Sequence, residues 1–201
     1  MITQEKHKKT AYLFYPKDLC SIKNMKKYNN NNNNNSPENI LLLNKIKDKS
    51  LFPENIIIEF KNLFSRKMNK ELTDNSLFQW HDRAYNLQCK IDSFNNKSLV
   101  LCINISVVIP YYICYILEIE HSEKSETLKF IPRRNFVIEN GLYLTFLEQT
   151  KIILEKEFHV KEFPKELLYE SIKGINFQDI EIEKFNYFNA FFLNDYFTNY
   201  I

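Results

Sequence analysis

The chain has 201 residues, of which 44% are hydrophobic and 15% aromatic, so it can bury a sizeable core within one domain of ordinary size. Its only glycines, Gly141 and Gly174, lie far apart, which excludes both glycine-rich phosphate-binding signatures. The net charge of +2 is uneven: residues 1–70 hold 14 Lys and Arg against 6 Asp and Glu (+8), and residues 71–201 hold 13 against 19 (−6). The lysines are scattered, however, and do not indicate nucleic-acid binding.

Composition and cysteine spacing bear on the cellular setting. The 25 asparagines and only three alanines indicate an AT-rich genome rather than a function. The start of the chain lacks the apolar run of about 7–15 residues that a secretory signal needs. The four cysteines are widely spaced and form no CxxC motif, so no disulfide framework or zinc site is predicted. We therefore expect a cytoplasmic protein with reduced thiols.

The first part of the chain predicts a strand and a loop. The run TAYLFY (10–15) favours a short strand because of its aromatic residues. Seven consecutive asparagines open a low-complexity tract over 29–36. Such a tract is typical of a flexible surface loop, which we place inside a single domain spanning 1–201.

Three helices are predicted next. Ser36 can cap a helix over about 37–47, with a proline at its first position. Apolar residues three or four positions apart predict a second helix over about 53–68. The same spacing predicts a third helix around Trp80, with one buried apolar face. That face consists of Leu77, Trp80, Ala84, Leu87 and Ile91.

An uncharged run of nineteen residues, 99–117, is long enough to be a transmembrane helix. Its β-branched and aromatic content favours strands instead, and Pro110 would break a helix. We predict a β-hairpin over about 98–120 that turns near Pro110. A membrane-attached protein through 99–117 is kept as an alternative.

The remaining elements complete an α+β fold. A third strand is predicted over about 128–138 and a helix over about 142–158. A shorter helix, 164–172, would begin at a proline and be closed by Gly174. The prediction is thus an antiparallel sheet, formed by the core hairpin 98–120 and the strand 128–138, packed with several helices.

Few residues suggest catalysis. His81 lies in the sequence Trp-His-Asp-Arg, and Arg133 and Arg134 could clamp a phosphate group. An enzyme of unrecognised family that uses His81 or this arginine pair is the alternative to a binding protein. We predict no cofactor and no metal site, because no recognised metal-ligand spacing occurs.

The carboxyl-terminal region suggests a partner surface, because eight of the last seventeen residues are Phe or Tyr and carboxylates flank them. Aromatic anchors within an acidic rim suit a protein interface. We therefore predict a small protein-binding domain, in one version an immunity protein that neutralises a basic bacterial toxin domain. The predicted contact residues are Glu181, Glu183, Tyr187, Phe188, Phe191, Asp195 and Tyr196.

Overall fold

The structure is a computed structural model, and it describes residues 2–16, 36–80, 82–94, 97–120, 129–131, 141–175 and 184–193. The predicted loop 29–36 lies outside these residues except for Ser36. Before the sheet, the described residues form three helices, which are α1 (Ile2–Phe14), α2 (Pro37–Asp48) and α3 (Glu54–Met68).

The boundaries predicted for α2 and α3 are confirmed to within one residue. The Ser36 side chain accepts a hydrogen bond from the Asn39 N–H at 3.1 Å, as expected of an N-cap. Both helices end in a left-handed residue, Lys49 (φ 47°) and Asn69 (φ 51°). Glycine is the usual residue at such an end because it has no Cβ, but this chain has only two glycines.

The short strand predicted over 10–15 is wrong, because these residues belong to α1. His7, Ala11, Phe14 and Tyr15 are all buried, and their spacing of four, three and one positions is that of a helix face. The aromatic content of 10–15 suggested a strand, but packing of the apolar face decides the conformation.

One mostly antiparallel sheet forms the centre of the protein, with strand order β1-β2-β3-β4-β5 and a sixth strand, β6, pairing parallel to β4. The strands are β1 (Thr73–Asp74), β2 (Ala84–Phe94), β3 (Lys97–Ser106), β4 (Tyr111–Glu120), β5 (Lys129–Ile131) and β6 (Lys161–Glu162). The predicted α+β fold is thus confirmed. Of the strand predicted over 128–138, the described part is β5.

The hairpin over 98–120 is confirmed. Strands β3 and β4 pair in antiparallel register, from Lys97 opposite Glu120 to Ile105 opposite Tyr112, and Pro110 lies in their connection. The run 99–117 is therefore not a transmembrane helix. In the part of the chain that the structure describes, no helix is both long and apolar enough to cross a membrane.

The helix predicted around Trp80 is wrong, because β2 begins at Ala84 and only Phe78–Trp80 form a single 3₁₀ turn. Leu87 and Ile91 are buried as predicted, but so are Tyr85 before them and Cys89 between them, which is the two-residue period of a strand. Two residues four positions apart share one face of a helix and also share one face of a strand, so this spacing does not distinguish the two. Pairing along β3 decides in favour of the strand, although β2 itself contains few β-branched residues.

The chain after the sheet forms α4 (Gly141–Ile152), a π-helical turn (Ile153–Glu157) and α5 (Tyr187–Phe191). The helix predicted over 142–158 is thus largely confirmed. The helix predicted over 164–172 is wrong, because this segment forms consecutive tight turns with hydrogen bonds to the carbonyl three residues back. Gly174 has the positive φ (78°) expected after such turns.

The main core lies between the helices and one face of the sheet. Tyr85 on β2 donates a hydrogen bond to the Phe52 carbonyl in the α2–α3 connection, and Tyr112 on β4 donates one to Glu155 in the π turn. The opposite face of the sheet holds a second, smaller cluster, formed by Val100, Cys102 and Leu117 with Tyr115 beside them. The sheet thus separates two apolar layers.

Candidate functional site

An aromatic cluster around Phe163 joins the two ends of the described chain. Phe163 follows β6, and its side chain is fully buried. Five rings surround it with centroid distances of 4.8–6.0 Å. They belong to His7, Tyr111, Tyr187, Phe191 and Phe192. This Phe163 cluster fastens α1 and α5 to the start of β4.

Three residues of the predicted partner surface are therefore core residues. Tyr187, Phe188 and Phe191 are only 2%, 3% and 0% exposed. They lie on α5, which a capping box formed by Asn186 and Asn189 opens. The prediction that these rings are exposed to a partner is corrected accordingly, because burial against Phe163 and its neighbours already removes them from water.

The other four residues of the predicted surface, Glu181, Glu183, Asp195 and Tyr196, lie outside the described residues. The same holds for His81, Arg133 and Arg134, which the enzymatic alternative uses. Within the described ranges, no group of three or more His, Cys, Asp or Glu side chains is placed to hold a metal ion.

Arg83 lies at a buried junction of three elements. Its Nε donates a hydrogen bond of 2.8 Å to the Tyr15 hydroxyl, which in turn donates one of 2.9 Å to the Ala190 carbonyl. The Arg83 N–H donates to the Phe192 carbonyl, and its carbonyl accepts from the Val107 N–H, both at 2.8 Å. Burial raises the pKa of Tyr15 and outweighs the opposite effect of Arg83, so the hydroxyl keeps its proton.

This junction could not be predicted from the sequence, because adjacent Asp82 and Arg83 resemble surface charges. In the structure Asp82 is 7% exposed, and Arg83 is fully buried. One Asp82 carboxylate oxygen accepts the Leu77 N–H at 2.9 Å, which shapes the turn before β2. The Asp82 side chain thus positions backbone, whereas the Arg83 side chain holds the Tyr15 hydroxyl.

A polar cluster lies where α4, the π turn and β6 meet β4. The Tyr112 hydroxyl donates to Glu155 at 3.0 Å. Glu162 is ion-paired with Lys151 at 2.6 Å and with Lys165 at 3.2 Å. Burial is the largest single effect and alone would lower the pKa of Lys151, but the hydrogen bond and charge of Glu162, together with the nearby Cys114 and Glu155, outweigh it and raise that pKa. The positive charges of two lysines thus offset the negative charges of two glutamates. The ion pair between Lys151 and Glu162 also joins α4 to β6.

Two buried thiols of the sheet, Cys114 beside this polar cluster and Cys102 on the opposite face, are not activated. Burial raises the pKa of Cys102 and of Cys114 to about 12. A thiol with that pKa is ionised to only about one part in ten thousand at pH 8. The interpretation of these residues as small hydrophobic side chains is consistent with this environment.

We expect Cys102 and Cys114 to resist alkylation in the folded chain. Treatment with iodoacetamide at pH 8, followed by peptide mass spectrometry, should leave both unmodified for hours, whereas in 6 M guanidinium they should react within minutes, on the order of 10³-fold faster. Equal labelling rates in the two conditions would contradict the burial of these thiols.

Exposed aliphatic side chains concentrate on the first three helices. Five of the seven large hydrophobic residues found exposed among the described residues belong to 13–58, with exposed fractions between 38% and 58%. We call these five the helical surface; it comprises Leu13, Ile40, Leu41, Leu51 and Ile58. The described stretches 2–16 and 36–70 carry 10 Lys and Arg against 5 Asp and Glu, so this part of the protein is basic.

Comparisons of the chain with protein-family models, with curated proteins and with solved structures gave no significant match.

Proposed function

We propose that this protein acts in the cytoplasm by binding another protein, and that the helical surface contributes to the contact. The exposure of five large aliphatic side chains on neighbouring segments of the chain is the observation that carries the proposal. Single exposed aliphatic residues are ordinary, whereas a concentration of them in one part of a protein is typical of interaction sites. Covering them contributes about 25 cal/mol for each Å² of apolar area removed from water.

Ile40 and Leu41 are the centre of this argument. They are adjacent on α2, and both point away from the side on which Leu42 and Ile46 are buried. The same helix carries Lys45 and Lys47, and an apolar centre with charged residues in its neighbourhood is typical of protein interfaces. The basic charge favours a partner with an acidic face, because complementary charge speeds association.

The more specific form of the proposal is an immunity protein that neutralises a toxin. In that form a basic toxin domain is contacted by Glu181, Glu183, Asp195 and Tyr196, and its support is the net charge of −6 over 71–201. The two surfaces differ in sign, so the charge of the captured partner distinguishes between them.

The test is affinity capture of a tagged chain from the native host, with bound proteins quantified by mass spectrometry. We expect Ile40→Gln with Leu41→Gln to reduce capture of the specific partner at least tenfold without changing the melting temperature, because both side chains are exposed. Ile152→Gln is the matched control, since Ile152 is 38% exposed but lies on α4. It should capture the partner as the unmodified chain does.

Two results would redirect the proposal. Equal capture by the double variant and the control would remove the helical surface from the interface. A partner that is lost instead on Glu181→Lys with Glu183→Lys, at low but not at high salt, would support the acidic surface and the immunity form. Absence of any partner reproducibly enriched over the tag alone would overturn protein binding itself.

A further inference from the structure

A histidine of α1 lies within the Phe163 cluster. His7 is 2% exposed, and its ring lies 5.2 Å from Tyr111 and 4.8 Å from Phe163 between centroids. Among the residues that the structure describes, none offers a hydrogen bond to its buried Nε2 atom. If the ring were protonated here, the imidazolium would lose its hydrating water without gaining a hydrogen bond from this atom in return, which is unfavourable.

We propose that His7 is an acid-sensitive latch: protonation of its ring releases α1 from β4 and α5. The released state would expose the Phe163 cluster, whose rings α1 now helps to cover. This inference is independent of the proposed partner, because it concerns how one helix is held in the free protein.

Two polar contacts join α1 to the described residues 170–173 at the surface of the protein. Gln4 donates a hydrogen bond to Glu170, and Tyr12 donates one of 2.9 Å to the Lys173 carbonyl. Both bonds are exposed, and exposed hydrogen bonds contribute little net stability. Docking of the first helix therefore depends mainly on the buried contacts of Tyr15 and His7. A charge at His7 would weaken these contacts directly.

The charges around His7 do not favour its protonated form. On α1 itself, Lys6 has the same sign as an imidazolium and, after burial, is the second cause that lowers the pKa of His7. On the β6 side, Glu162 is already ion-paired with Lys151 and Lys165. The neighbouring elements thus supply no carboxylate that the structure shows acting on His7.

The remaining titratable groups near α1 lie on α5, on β4, on β6 and on α1 itself. On α5, burial and then Glu170 raise the pKa of Tyr187 to about 12, so its hydroxyl is neutral in acid. On β4, Tyr111 presents an aromatic ring to His7. Lys161 on β6 is exposed and carries the same sign as an imidazolium. Glu5 on α1 is exposed to solvent, where its charge is screened.

The direction of the pH effect follows from linkage. The pKa of His7 is lower in the folded chain than its ordinary value of 6.5, so the unfolded or released helix binds the proton more readily. The stability that neutral His7 contributes is complete above about pH 6.5 and is lost as the pH falls below it. At pH 5.5 the docked state is then disfavoured relative to pH 7.5, by at most about tenfold, because that is the limit for a histidine that never binds the proton while α1 is docked.

The test is hydrogen exchange of the full chain at pH 7.5 and pH 5.5, analysed by mass spectrometry after correction for the intrinsic pH dependence of exchange. We expect protection of the α1 amides to fall measurably at pH 5.5, by up to about tenfold, while β3 and β4 keep theirs. His7→Gln should remove the pH dependence, and His7→Phe serves as a second neutral variant should the first not fold. His159→Asn is the matched control, since His159 is exposed and its left-handed backbone tolerates asparagine.

Three results would overturn the latch. The first is equal protection of α1 at both pH values in the unmodified chain. The second is a pH-dependent loss of protection that persists in both neutral His7 variants. The third is an NMR titration in which the His7 ring has a pKa above the ordinary value, since the aromatic rings would then stabilise the imidazolium instead.

Discussion

Replacing Phe163 by alanine should lower the free energy of unfolding by about 3–5 kcal/mol. The side chain is fully buried and touches five rings, so its removal loses apolar burial and leaves a cavity that those rings cannot fill without moving. For a chain of this length each kcal/mol shifts the melting temperature by about 2–4 °C. We therefore expect a drop of about 6–20 °C, measured by calorimetry or circular dichroism.

Phe158→Ala is the matched control for this experiment. Phe158 is only half-buried and has one described ring partner, Phe60, at 5.5 Å. Its removal should cost less than half as much as removal of Phe163. If the two variants had the same melting temperature, Phe163 would not be the centre of the packing between α1, α5 and the sheet.

The second large effect is expected at Arg83. Arg83→Met keeps an apolar stem of similar length but removes the charged donor that the Tyr15 hydroxyl accepts from. A hydrogen bond to a charged group contributes about 1.5–3 kcal/mol, and we expect a loss of this size in urea-induced unfolding. The slope of the unfolding curve should be unchanged, because the backbone bonds of Arg83 to Phe192 and Val107 remain.

A double-mutant cycle with Tyr15→Phe isolates the contact. Tyr15→Phe removes the hydroxyl that links Arg83 to the Ala190 carbonyl. The two substitutions should be non-additive by about 0.5–3 kcal/mol, as for residues that share one buried hydrogen bond. Strict additivity would show that the two side chains stabilise the fold separately.

The sequence predicts the central part of this fold well, and physical reasons explain why. The hairpin over 98–120 is dense in β-branched and aromatic residues, and Pro110 excludes a continuous helix, so local preference and tertiary structure agree. The N-cap at Ser36 and the apolar face of α3 likewise specify their helices through contacts within a few residues.

Prediction fails where long-range pairing decides between two periods. The apolar residues of β2 fit a helix as well as a strand, and only the neighbouring β3 selects the strand. Residues 10–15 are aromatic, yet they become helical because that conformation places Ala11, Phe14 and Tyr15 against the core. Neither the pairing of β2 with β3 nor the packing of α1 against the core can be identified from the local sequence.

The candidate site was harder to predict than the fold. An aromatic run in the carboxyl-terminal region can be core or interface, and composition does not distinguish the two. The structure shows that Tyr187, Phe188 and Phe191 are core, because Phe163 and α1 lie where they can cover them. Arg83 was missed for a similar reason, since burial of a charge depends on Tyr15, 68 positions earlier in the chain.

The contacts of α1 also determine when this protein can fold during its synthesis. Tyr12 bonds to a residue 161 positions later, and Tyr15 bonds to one 175 positions later. At about 5–20 residues added per second, Tyr15 leaves the peptidyl-transferase centre roughly 9–35 seconds before its acceptor is made. During that interval the apolar face of α1 has no native partner from α5, so α1 can complete its docking only after Ala190 has been made.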